Sequence, residues 1–131
     1  MKKAIVVSLL LVISCVIITG CTSFFSSGSV TGFSSSQHGT VMNARFKSFN
    51  GVRGARFKLS QGDIVRIKYE LNCEDGSLTL TFEKKDGSIL FSTTDTVGTE
   101  EISVDSNERY TIRLTGQKAR GSYNLSWTVN P

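Results

Sequence analysis

The 131-residue chain contains one histidine, one proline, one tryptophan and three cysteines. With His38 as its only histidine, it can build neither a histidine-based triad nor a multi-histidine metal site within one chain. The lone proline is Pro131, the last residue, so nothing inside the chain removes a backbone donor from a strand. Cysteine is equally thin: Cys15 and Cys21 belong to the N-terminal apolar segment and its end, which leaves Cys73 alone in the remainder and no intrachain disulfide available. Packing must supply the stability instead, with Cys73 either a small core or strand-end residue or an exposed thiol. No segment has a convincing helical period.

What is present begins with Lys2 and Lys3, followed by an apolar run from Ala4 to Thr19 that only Ser8, Ser14 and Cys15 interrupt. This is the pattern of a signal peptide. The run falls short of the roughly 20 residues that cross a bilayer, and no stop-transfer charges follow it, which argues against a transmembrane helix. Ordinary secretory cleavage needs small residues at two spaced positions before the cut, and Ile18 is too large for one of them. The four residues Ile18-Thr19-Gly20-Cys21 resemble a lipobox, the site at which bacterial lipoproteins are cleaved before a cysteine that carries the lipid. The resemblance implies an acylated, palmitate-type anchor at Cys21, in the cell membrane or outer membrane and facing outside the cytoplasm. A rival site, Val12-Ile13-Ser14-Cys15, would leave Val16-Ile17-Ile18 exposed just after the anchor.

Without residues 1–20 the chain holds 13 basic and 11 acidic side chains, so it is near neutral and the right size for one domain. Charge is unevenly spread along it. Between Thr40 and Tyr69 stand Arg45, Lys47, Arg53, Arg56, Lys58, Arg66 and Lys68 against the single acid Asp63, whereas Glu70 to Tyr110 holds ten acids and three bases. Those seven cations are candidate contacts to anionic lipid headgroups or wall polymers. The plainer alternative is that they are solvated charges on strand faces.

Residues 21–40 read as the lipidated cysteine and a flexible Ser/Gly-rich tether. Phe24, Phe25 and Phe33 interrupt the tether, and the first two are placed to enter a membrane interface. From Val41 the pattern turns to period two: Phe57 and Leu59; Val65, Ile67, Tyr69 and Leu71; Leu78, Leu80 and Phe82; Ile102 and Val104; Tyr110, Ile112 and Leu114; Tyr123, Leu125, Trp127 and Val129. Such alternation puts one face of each strand in a core. Turn signals separate the runs at Asn50-Gly51, Gln61-Gly62-Asp63, Glu74-Asp75-Gly76, Asp86-Gly87, Val97-Gly98, Ser106-Asn107 and Gly116 to Gly121. Residues 41–131 are therefore expected to form an all-β domain, an antiparallel, jelly-roll-like β-sandwich of about seven to eight strands.

The succession Phe57-Lys58-Leu59, Gly62-Asp63, Leu78-Thr79-Leu80, Asp86-Gly87-Ser88, Tyr110-Thr111-Ile112 and Gly121-Ser122-Tyr123-Asn124-Leu125 resembles the bacterial pre-peptidase C-terminal type of β-sandwich over residues 45–130. It also resembles small lipoproteins with one such domain. Some members of that family bind calcium through acidic residues where Ser77 and Leu78 stand here, so the resemblance implies the fold without that calcium site.

Asp63, Asp75 and Asp86 sit in turn signals, where a short carboxylate commonly accepts bonds from nearby backbone amides. Calcium needs several converging oxygens; Glu74, Asp75 and Asp86 are the best-placed candidates, but no metal or cofactor is expected. Glu70, Glu83, Glu100 and Glu101 are numerous enough for a pair to meet, yet a domain this small leaves little room for a glycosidase cleft. Trp127, flanked by Tyr123 and Leu125, is in phase with core positions; its alternative reading is a sugar-stacking platform. Basic residues near Phe46, Phe49 and Phe57 suggest a nucleic-acid surface, but an extracytoplasmic location argues against it, and the lipobox argues against glycosylation at Asn124-Leu125-Ser126. The expected protein is a non-enzymatic, anchored module that binds a protein or glycan or contributes to envelope structure. The alternatives are an inhibitor of an extracellular hydrolase and a carbohydrate- or calcium-binding module.

Overall fold

The computed structural model describes residues 22–31, 34–38 and 40–131. The signal segment, Cys21 and Phe33 lie outside the described residues. Seven strands follow in order: β1 (Ser23–Thr31), β2 (Ser34–His38), β3 (Val41–Leu59), β4 (Ile64–Lys84), β5 (Ile89–Thr93), β6 (Val97–Ser103) and β7 (Glu108–Val129). All pairings are antiparallel, in the order β1-β3-β7-β4-β5, with β2 also on β3 and β6 also on β4. Among the described residues no helix is long and apolar enough to cross a membrane.

Strands β3, β4 and β7 run for 19, 21 and 22 residues, well beyond the common strand length of roughly 3–10. Each is two strand arms joined by a bend. Register shifts mark the bends between Phe46 and Gly51 in β3 and between Cys73 and Ser77 in β4. The first arms (residues 41–46, 64–73 and 121–129) form one half-sheet with β2 and β6, and the second arms (51–59, 77–84 and 108–117) form another with β1 and β5.

Buried residues switch parity at every bend. In β4 they are Val65, Ile67, Tyr69 and Leu71, then Leu78, Leu80 and Phe82; in β7, Tyr110, Ile112 and Leu114, then Tyr123, Leu125 and Trp127. Because strand side chains alternate with period two, each change of parity marks an irregular step at the bend, after which both arms still present apolar side chains to a common interior. Rings meet across that interior: Phe57 of the second half-sheet stacks on Trp127 of the first at 5.5 Å and 7°, and Tyr69 lies 6.1 Å from Phe91.

Three expected turns, at Asn50-Gly51, Glu74-Asp75-Gly76 and Gly116 to Gly121, are therefore not chain reversals but the bends of continuous strands. Glycine supplies the kink in β4, where Gly76 has φ +73° and its α-carbon lies against the carbonyl oxygens of Gln117 and Lys118 with no room for a Cβ. Val97-Gly98 also differs, opening β6 rather than a turn.

The tether between residues 22 and 40 is corrected as well. In its described residues it is two edge strands, because β3 has a free edge whose backbone groups Ser23–Thr31 and Ser34–His38 satisfy. Phe24 packs against the core from β1, so it is not an interfacial anchor. Cys73 is exposed at the β4 bend, where its thiol donates to the Asp75 carbonyl at 3.1 Å.

Asp63 closes the turn between β3 and β4 in the role expected of it, accepting from the Ser60 amide at 2.9 Å and from the Asn130 side-chain amide at 3.0 Å. The Asn130 bond first, then the Ser60 bond, hold its carboxyl below the usual carboxylate value. A folded-state value below the unfolded one gives stability that is present at neutral pH and fades as pH falls below about 4. Asp63→Asn is expected to flatten slightly the acid side of the thermal midpoint against pH; an unchanged profile between about pH 2 and 5 would show that the bonds do not favour the ionised form.

Candidate functional site

The bends of β3, β4 and β7 lie side by side and leave two hollows. One, of about 660 Å³, is lined by Asn50, Asp75, Gly76, Ser77, Gln117 and Lys118. The other, of about 600 Å³, opens on the outer face of the first half-sheet, where register sets Arg45 opposite Ser122 and Ser122 opposite Asn72. Lys47, Glu74 and Arg120 complete its charged lining. Arg120 and Glu74 approach to 3.5 Å, both largely in water, so the pair is weak and leaves most of the positive potential in place. Arg45 and Lys47 have no carboxylate partner among the described residues.

Folding divides the basic run Arg45 to Lys68. Arg45 and Lys47 join Arg120 at the bend, and exposed Lys68 stands further along the same half-sheet beside Arg66, which Glu101 engages through Nε at 2.7 Å. Arg56 and Lys58 lie on the outer face of the other half-sheet. Arg53 is buried and turned inward, so it is no surface contact. Its side chain lies near Tyr123, whose hydroxyl has no hydrogen-bond partner among the described residues; burial pushes that phenol up and the Arg53 charge opposes the shift. Sequence reasoning missed Arg109, Arg113 and Arg120, all on β7. No local signal links Arg109 to Lys58 or Arg120 to Arg45, far earlier in the chain; only the pairing of β3 with β7 does.

The acidic candidates are engaged locally. Asp86 accepts from the Ser88 amide at 2.9 Å, and its hydrogen bonds with Ser88, side chain first, lower its carboxyl from the usual value. Asp75 accepts from Gly76 at 3.0 Å, and Glu74 faces Arg120. Among the described residues no group of three or more His, Cys, Asp or Glu side chains could hold a metal ion. Glu83 pairs with Arg113 at 2.7 Å and Glu70 accepts from Asn72 at 3.1 Å, so these carboxylates serve the surface rather than an acid–base pair. Trp127 is 2% exposed beneath Phe57 and offers no ring to a sugar.

No family model and no curated protein matches this chain. Solved structures do. The fold is that of a periplasmic inhibitor of g-type lysozyme from Aeromonas hydrophila, at 6% identity and TM-score 0.50, covering 85% of this chain and 88% of that one. Lesser likenesses are to the pre-peptidase C-terminal domain of a collagenase from Bacillus anthracis (11% identity, TM-score 0.46, 83% and 89% covered) and to a low-affinity xylan-binding module from Roseburia intestinalis (10%, 0.44, 84% and 94%). At these identities the likeness is one of fold.

Proposed function

We propose that this chain is a lipoprotein anchored at Cys21 outside the cytoplasm, whose jelly-roll-like sandwich inhibits a glycan-cleaving hydrolase of the lysozyme type. The observation that carries the reading is the convergence of Arg45, Lys47 and Arg120 at the bend, answered among the described residues only by the weak Glu74 contact. Glycoside hydrolases place a pair of carboxylates in their cleft, and a clustered cationic corner complements such a site. The shared fold with the Aeromonas inhibitor, over most of both chains, supports the same reading.

Direct glycan binding is the second reading, supported by the amide and hydroxyl lining of the Asn50–Gln117 hollow. It ranks lower because the described aromatic rings are buried or partly buried, and stacking platforms need an open ring.

Purified protein is expected to suppress peptidoglycan hydrolysis by a g-type lysozyme, and Arg120→Glu to weaken that suppression by roughly tenfold or more through reversed charge. Full lysozyme activity in excess protein would overturn the proposal. Calorimetric binding of a soluble oligosaccharide without any inhibition would favour the second reading.

A further inference from the structure

The outer face of the second half-sheet carries charge that the fold does not answer. Lys58 stands directly opposite Arg109 across β3 and β7, and both are exposed. Like charges at such a cross-strand position repel. Neither has a carboxylate partner among the described residues, nor has Arg56 two positions along. Arg113 is held by Glu83 at 2.7 Å. The arrangement calls for an anion from outside the chain.

Phe25 lies on this same face. Its ring rests on Gly54, where a Cβ would collide with it, and the guanidinium carbons of Arg56 and Arg113 lie 4.2 and 5.6 Å from the ring centroid. Ser23, the first residue of β1, pairs with Arg56. Cys21 precedes Ser23 by two residues, a span of at most about 7 Å. Chain length alone thus tethers an acyl group on Cys21 close to the Ser23–Arg56 end of β1. A basic patch adjacent to a lipid anchor is a recognised second signal for membrane contact.

We propose that the face bearing Arg56, Lys58 and Arg109 lies on an anionic lipid bilayer next to the acylated Cys21. This contact turns the opposite outer face, with Arg45 and Arg120, toward the envelope space. The inference rests on the anchored reading above, but not on the inhibitor reading.

The test uses full-length lipoprotein purified from membranes, with its intact mass measured and reconstituted into vesicles of about 30% phosphatidylglycerol in phosphatidylethanolamine, or of phosphatidylcholine alone. Lysine acetylation is followed by peptide mass spectrometry. Lys58 is expected to label roughly tenfold more slowly on the anionic vesicles, Lys68 to label equally on both, and the protection to vanish in about 0.5 M salt. Arg56→Gln with Arg109→Gln should release Lys58 while leaving lysozyme inhibition unchanged. Equal labelling of Lys58 on both vesicles, or protection of Lys68 instead, would overturn the orientation. Protection of Lys58 by a soluble anionic wall polymer but not by the lipid would assign the face to the polymer and overturn the lipid contact. A mass without an acyl group would overturn the anchor, whatever the inhibition assay reads.

Discussion

Trp127→Ala is expected to cost about 3–5 kcal/mol, as other large-to-small changes of buried aromatics do. Trp127 is 2% exposed and reaches from the first half-sheet to stack on Phe57 of the second, so its removal opens a cavity at the contact that joins the two. A small domain has only about 5–15 kcal/mol in all, so the variant should be marginally folded at room temperature. Chemical denaturation followed by far-ultraviolet circular dichroism measures the loss. Trp127→Phe, which keeps a ring on Phe57, should lose clearly less. A loss below about 1 kcal/mol for the alanine variant would mean that the half-sheets do not depend on this contact. The burial also predicts that added oligosaccharide leaves the tryptophan fluorescence unchanged.

The second large effect is at Gly76. Its φ of +73° alone penalises alanine by about 1–2 kcal/mol. The methyl would also run into the backbone oxygens of Gln117 and Lys118 on the neighbouring strand, which can yield only if β4 and β7 separate at their bends. Gly87 supplies the control: its φ is +91°, but nothing stands within 4 Å of where its Cβ would be. Gly87→Ala should therefore show the backbone penalty alone, and Gly76→Ala that penalty plus the cost of opening the bend. Equal losses from the two variants in urea denaturation would show that the close approach contributes nothing. Because the bend also carries Arg120, Gly76→Ala should weaken lysozyme inhibition as well.

Much of the inner surface was legible in order along the chain. The alternating runs Val65 to Leu71, Leu78 to Phe82, Tyr110 to Ile112 and Tyr123 to Trp127 are buried as their period implies, since a half-buried strand needs no partner's identity to mark its apolar face. The turns at Gly62-Asp63 and Asp86-Gly87 were equally local: Gly62 and Gly87 take positive φ, and Asp63 and Asp86 accept the expected backbone bonds. The misread turns at Asn50, Asp75 and Gly116 share one cause. Glycine permits a sharp change of direction, and composition does not tell a reversal from a kink in a strand that carries on.

By itself, then, the sequence determined the all-β class and most core positions. These are carried by residues within a few positions of one another, where periodicity and side-chain chemistry act directly. The tertiary structure decided which charges stand together. It parted Arg45 from Arg56, buried Arg53, and brought Arg120 to Arg45 and Arg109 to Lys58. Antiparallel pairing joins residues distant in the chain, and the three aligned bends set on opposite faces cations that the sequence lists as one run.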